Sequence, residues 1–174
     1  MNSLVGRSID DVGYLIPDTS DTWRIKHHRG FDEASMGIDL RLDRGTCEMK
    51  WLMHGEREGL ALVLDPDESD YQRDRVKRVP VGDSPEWRRL MGTEVAAVGV
   101  AWHQPVTGTD AVWAIRLSFL GGNSVVVALG EWREEALRYI PDAVVAIFDP
   151  VTANAYQILA GEEPAWGHDT PDRS

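Results

Sequence analysis

A chain of 174 residues with 43% hydrophobic side chains is long enough to fill one domain's core, and its seven tryptophans exclude an intrinsically disordered chain, which lacks such large apolar groups. Its 29 acidic and 18 basic side chains give a net charge of −11, a surface that repels nucleic-acid phosphates and anionic lipid headgroups and attracts a basic partner. A single cysteine, Cys47, excludes an intramolecular disulfide framework and a cysteine-based metal cluster, in keeping with a reducing, cytoplasmic setting.

The first eleven residues carry Asp10 and Asp11 and no apolar run, so no secretory leader is expected. No stretch approaches the ~18 consecutive apolar residues of a membrane span. Leu4, Gly6, Ile9, Val12 and Gly13 open the chain and are echoed, 86 positions on, by Leu90, Gly92, Val95, Val98 and Gly99. Ile38, Leu40, Leu42 and Gly45 are echoed by Ile115, Leu117, Phe119 and Gly122 at an offset of 77. Leu60, Leu62, Leu64, Asp65 and Pro66 are echoed by Val144, Ala146, Phe148, Asp149 and Pro150 at 84, and Tyr71 and Gln72 by Tyr156 and Gln157 at 85. Four collinear blocks predict one domain over 1–160 made of two repeats, about 4–80 and 90–160.

Apolar residues recur with period two inside each block, between Gly, Asp and Pro, so the blocks are predicted as strands. Gly45 and the Gly121, Gly122, Asn123 run are predicted turns, because left-handed φ is cheap there. Residues 38–42 should then pair with 46–53, and 115–120 with 124–129. Asp-Pro should end the last strand of each repeat, since proline offers no N–H to a ladder. The changing offsets locate two insertions, both expected as surface excursions: 19–35, with Trp23, His27 and His28, and 131–139, predicted as a short amphipathic helix ended by Pro141.

Residues 65–82 are crowded with charge and are expected as an exposed connection. Ser84, Pro85 and Glu86 then supply a cap, a first-turn proline and a first-turn acid, predicting a short helix over 84–91 between the repeats. The last residues, 161–174, are expected as an extended or disordered acidic tail. The fold class expected is all-β or β-dominated α+β, with two similar antiparallel units packed as a pseudo-twofold sandwich or barrel.

No catalytic motif emerges. The five histidines lack the i, i+4 spacing of a helical zinc pair, adjacent His27 and His28 point to opposite sides of an extended segment, and the acids of 65–70 are out of register for a calcium loop. Cys47 reads as core, and Glu131, Glu134, Glu135 and Asp142 as a wetted face rather than an acid–base pair. Neither a cofactor nor a metal is expected. The residues chosen for partner binding are Trp23, His27, His28, Trp132, Glu134 and Glu135, because tryptophans in insertions suit an interface better than a core.

Three functional readings stand beside one another. The first is a non-enzymatic protein-binding module, most concretely a cytoplasmic immunity or antitoxin-like inhibitor of a basic protein partner such as a nuclease. The second is a small-molecule-binding barrel or enzyme with its site between the repeats. The third is a structural or assembly subunit that forms a homo-oligomer.

Overall fold

The structure is a computed structural model that describes residues 2–18, 25–54, 57–66, 76–103 and 111–156. Short apolar runs punctuated by turn formers fold into β1 (Ile9–Pro17), β2 (Lys26–His28), β3 (Phe31–Ser35), β4 (Gly37–Leu42), β5 (Thr46–His54), β6 (Arg57–Leu64) and β7 (Val76–Pro80). After α1 (Pro85–Arg88) come β8 (Val95–His103), β9 (Ala111–Phe119), β10 (Ser124–Leu129), β11 (Glu131–Arg133), β12 (Ala136–Arg138), β13 (Val144–Ile147) and α2 (Pro150–Ala155). The expected β-dominated class is what the molecule adopts. Among the described residues one sheet has the order β6-β5-β4-β1-β7, the other β2-β3-β13-β10-β9-β8, and β11 pairs with β12. Every strand pair among the described residues is antiparallel.

Within the two sheets, β1-β4-β5-β6 and β8-β9-β10-β13 are meanders of the same strand order. Their registers correspond as well. Val12 faces Leu40 as Val98 faces Leu117, and each first strand slips near its start, between Ile9 and Asp11 and between Val95 and Ala97, with β8 slipping a second time between Ala101 and Trp102. Ile38 faces Met49 as Ile115 faces Val127, and Met49 faces Leu62 as Val127 faces Ala146. The meanders are joined reciprocally: Gly6 N–H donates to Val95 O at 2.8 Å, and Gly92 N–H to Ile9 O at 2.8 Å. Ser8 and Glu94, equivalent positions, bridge to each other, which places a local twofold between them. Gly6 and Gly92 have φ of 78° and 68°, a left-handed conformation that glycine adopts at little cost as each segment turns into its strand.

The inner faces share one core, with Ile9, Val12 and Tyr14 of β1, Ile38 and Leu40 of β4 and Met49 of β5 set against Ile115, Leu117, Val125, Val127 and Val144. A second apolar layer lies outside the second sheet, where Phe31, Trp113, Val126, Ile147 and Tyr156 pack beneath α2 and the β11–β12 hairpin, with Leu137 and Tyr139 against them. Ser84 accepts from Trp87 N–H at 3.4 Å and caps α1, as the sequence predicts, although the helix spans only Pro85–Arg88. No helix among the described residues is long and apolar enough to cross a membrane.

Three expectations are corrected. The 19–35 insertion is not an excursion where it is described: β3 is buried at all five positions and extends the second sheet by pairing with β13. The 131–139 segment is a hairpin, not a helix, because Glu134 and Glu135 both take left-handed φ, 52° and 62°, the conformation of a two-residue turn whose twist matches the flanking strands. The 65–82 connection contains β7, an edge strand on β1.

Cys47 is fully buried in β5, and burial pushes its thiol up to about 12. A folded value above the unfolded one means that this group stabilises the fold fully below about pH 9 and that the contribution fades as the pH rises toward 12. Alkylation at pH 8 should therefore be at least ~100-fold slower in the native protein than in denaturant. Equal rates, read by mass spectrometry, contradict the burial.

Candidate functional site

Most of the residues chosen from sequence gather at the β2 edge of the second sheet. The strand pairs Lys26 with Glu33, His27 with Asp32 and His28 with Phe31, so successive side chains face opposite sides and the two histidines are separated as expected. A two-residue turn at Arg29 and Gly30 closes the hairpin, with Gly30 at φ 87°.

On the inner side, His27 Nδ1 lies 2.8 Å from Asp32 Oδ1. The other carboxylate oxygen of Asp32 accepts from the Tyr14 hydroxyl at 2.7 Å, and Tyr14 accepts from Trp87 Nε1–H at 2.7 Å. This chain of hydrogen bonds runs from the centre of the core to a histidine whose side chain is 57% exposed. Asp32 is 2% exposed, and its partners offset the desolvation that an unpaired buried carboxylate would suffer. Burial, then the charge of Asp32, hold the Tyr14 phenol well above its ordinary value, so Tyr14 stays protonated and donates.

On the outer side, Glu33 organises the surface. Its carboxylate binds Lys26 Nζ at 2.8 Å and His28 Nε2 at 3.0 Å, and accepts from the Trp132 backbone N–H at 3.4 Å. The bond to Glu33 and, less, the charge of Glu131, 3.8 Å away, raise the Lys26 value. His28 stacks on Phe31 with centroids 4.4 Å apart, and Trp132 leans on both rings at 5.7 and 5.3 Å. Trp132 remains 37% exposed on top of this stack. Glu134 and Glu135 occupy the exposed tip of the same hairpin, with Arg138 3.9 Å from Glu134.

The structure thus brings His28 and Trp132 into contact, places Glu134 and Glu135 beside them at the tip, and turns His27 to the opposite face. Trp23 lies outside the described residues, as do Tyr71, Gln72, Trp166, His168 and the 161–174 tail. Sequence reasoning missed Tyr14, Asp32, Glu33 and Trp87. Only the alternation Lys26, His27, His28 against Asp32, Glu33 carried a signal, as a pair of strands of opposite charge.

Chemically, an imidazole oriented by a buried carboxylate is half of a general-base arrangement, whereas the Glu33 surface is a rigid platform of rings and paired charges. Among the described residues no three His, Cys, Asp or Glu side chains converge as a metal site. A separate cavity of about 460 Å³ lies between the β2–β3 turn, α1 and the start of α2, lined by Arg29, Glu86, Arg89, Phe148, Asp149 and Thr152. Asp149 caps α2 by accepting from Thr152 N–H at 2.8 Å and Oγ1–H at 2.6 Å, which lowers its carboxyl value.

Comparison with known protein families, with curated proteins and with solved structures finds no match for this chain.

Proposed function

We propose that the protein is a non-enzymatic protein-binding module that engages a basic partner through the β11–β12 hairpin, in the manner of an immunity or antitoxin-like inhibitor acting in the cytoplasm. The observation that carries this reading is Trp132. A tryptophan left 37% exposed while Phe31 and His28 hold its ring from beneath is an anchor that loses little side-chain entropy on binding. The acidic tip at Glu134 and Glu135, on a chain of net charge −11, steers a basic surface toward that anchor.

The test recovers the protein from its own cells and measures the affinity of the captured partner. Trp132→Ala should weaken binding by more than ~1 kcal/mol, at least about fivefold in Kd, and Glu134→Lys with Glu135→Lys should slow association most at low salt. If the variants keep the wild-type fold and bind a basic partner unchanged, the hairpin is not the contact surface.

A second reading, a ligand site between the repeats, draws support from the cavity lined by Arg29 and Arg89, whose walls come from both halves of the chain. Two arginines there suit a carboxylate or phosphate group. A rise in melting temperature with such anions that Arg29→Ala and Arg89→Ala abolish would favour this reading over the first. The matching registers and reciprocal hydrogen bonds of the two meanders also support descent from a duplicated half-size unit, with the insertions as the later, partner-facing additions.

A further inference from the structure

The second sheet buries an apolar layer on its outer side, and matched positions of the first sheet carry charge instead. Ile38 and Met49 correspond to Ile115 and Val127, so Glu48 stands where the second sheet has Val126, and Lys50 where it has Ala128. Their neighbours correspond too: Glu48 faces Val63 as Val126 faces Ile147, and Lys50 faces Ala61 as Ala128 faces Val145. Asp39, Glu48 and Lys50 are nevertheless buried.

This arrangement is costly. Asp39 and Glu48 sit directly opposite each other across β4 and β5, and like charges so placed weaken a sheet. Lys50 Nζ, 3.1 Å from Glu48, offsets the repulsion, as does Arg78, whose side chain passes over Gly13 to pair with Asp39 and, at 2.8 Å, with Asp11. Apolar residues in place of a buried ion pair commonly give a fold that is no less stable, and the second sheet has them at Val126 and Ala128. Packing therefore does not call for these charges, and a local rule broken without benefit to the fold marks a functional position.

The charges line a cavity. Its volume is about 520 Å³, and its walls include Leu15, Asp39, Arg41, Glu48, Val76 and Arg78, all in the first half of the chain. That volume falls in the ~300–1,000 Å³ range of small-molecule sites. The cavity shares no wall residue with that of Arg29 and Arg89. A carboxylate has about four acceptor sites and a guanidinium five donors, so the pairing of Asp39 with Arg78 leaves capacity on both. An anion entering here meets Asp39 and Glu48, and a cation meets Arg41 and Arg78. A hydroxyl group avoids both repulsions, because it donates to a carboxylate and accepts from a guanidinium at once. Leu15 and Val76 add an apolar wall that suits the C–H face of a sugar ring.

We propose that this cavity on the outer face of the first sheet binds a neutral sugar, whose hydroxyls bridge Asp39 and Glu48 to Arg41 and Arg78 while its ring lies against Leu15 and Val76. The site is separate from the Trp132 hairpin and stands or falls independently of it. Titrating the full chain with glucose, galactose, mannose, xylose and ribose, followed by amide resonances, tests this. At least one sugar should shift the amides of 39–41 and 46–48 saturably, with a Kd below ~10 mM. Glu48→Gln and Arg41→Ala should each weaken that binding at least ~10-fold, since each removes a charge-assisted hydrogen bond. The Arg41 side chain is 60% exposed, so its truncation leaves the fold intact and decides the matter if Glu48→Gln fails to fold. No shift with any of the five sugars, or a shift that the folded variants retain, overturns the proposal. Sulfate or free lysine binding at these amides in place of a sugar overturns it too, since the cavity then selects an ion.

Discussion

Replacing Trp87 with alanine should cost about 4 kcal/mol and lower the melting temperature by ~10 °C, the largest effect expected of a single substitution here. Trp87 is fully buried at the foot of α1, between Tyr14 and Phe148, whose rings meet it edge-on at 6.4 and 5.1 Å. Truncation removes its apolar burial and leaves a cavity in a core shared by both sheets. It also deprives the Tyr14 hydroxyl of its donor. Trp87→Phe keeps most of the volume and loses the Nε1–H, so its smaller cost isolates the hydrogen bond. Urea unfolding gives both values, and a Trp87→Ala loss below ~1 kcal/mol means that the ring is not packed as described.

Tyr14→Phe should cost about 3 kcal/mol although it removes one oxygen. That oxygen accepts from Trp87 Nε1–H and donates to Asp32, so its loss strands a buried donor and takes one of the hydrogen bonds from a nearly buried carboxylate. The substitution carries a pH signature as well. The folded Tyr14 value lies above the unfolded one, mainly through burial, so its contribution is fully present below pH ~10 and fades as the pH rises further. The stability gap between wild type and Tyr14→Phe should hold constant from pH 6 to 9 and narrow above pH 10. A gap that is already small at pH 7 contradicts the buried network. Because Tyr14 and Trp87 touch, the double variant should cost less than the separate losses together.

Much of the scaffold was legible because its signals are local. Alternating apolar residues at 38–42 and 115–119, the glycines at the turns and the Ser84-Pro85-Glu86 cap each act within a few residues, and the strands, hairpins and short helix they predict are present. The platform around Glu33 was not legible. Its carboxylate takes the Trp132 amide from 99 positions away, and Tyr14 takes the Trp87 indole from 73. Read locally, Asp32 and Glu33 are surface acids, and only partners delivered by other strands make their burial affordable in free energy.

The hairpin at 131–139 shows the converse. Its charges fall at helical spacing, yet Glu134 and Glu135 sit in left-handed φ at roughly 1–2 kcal/mol each, a local cost outweighed by pairing of β11 with β12 and by the Trp132 stack. No window of sequence contains both sides of that balance.

By itself, then, the amino-acid order determined the β-dominated class of fold, the hairpins that join 38–42 to 46–53 and 115–120 to 124–129, and the excess of negative charge, because period, glycine placement and charge count need no distant partner. The tertiary structure alone decided that β3 joins the opposite sheet and that Trp132 rests on His28 and Phe31. Each of these depends on which strand lies beside which, and that is settled by burying the whole apolar surface at once, not by the preference of any segment.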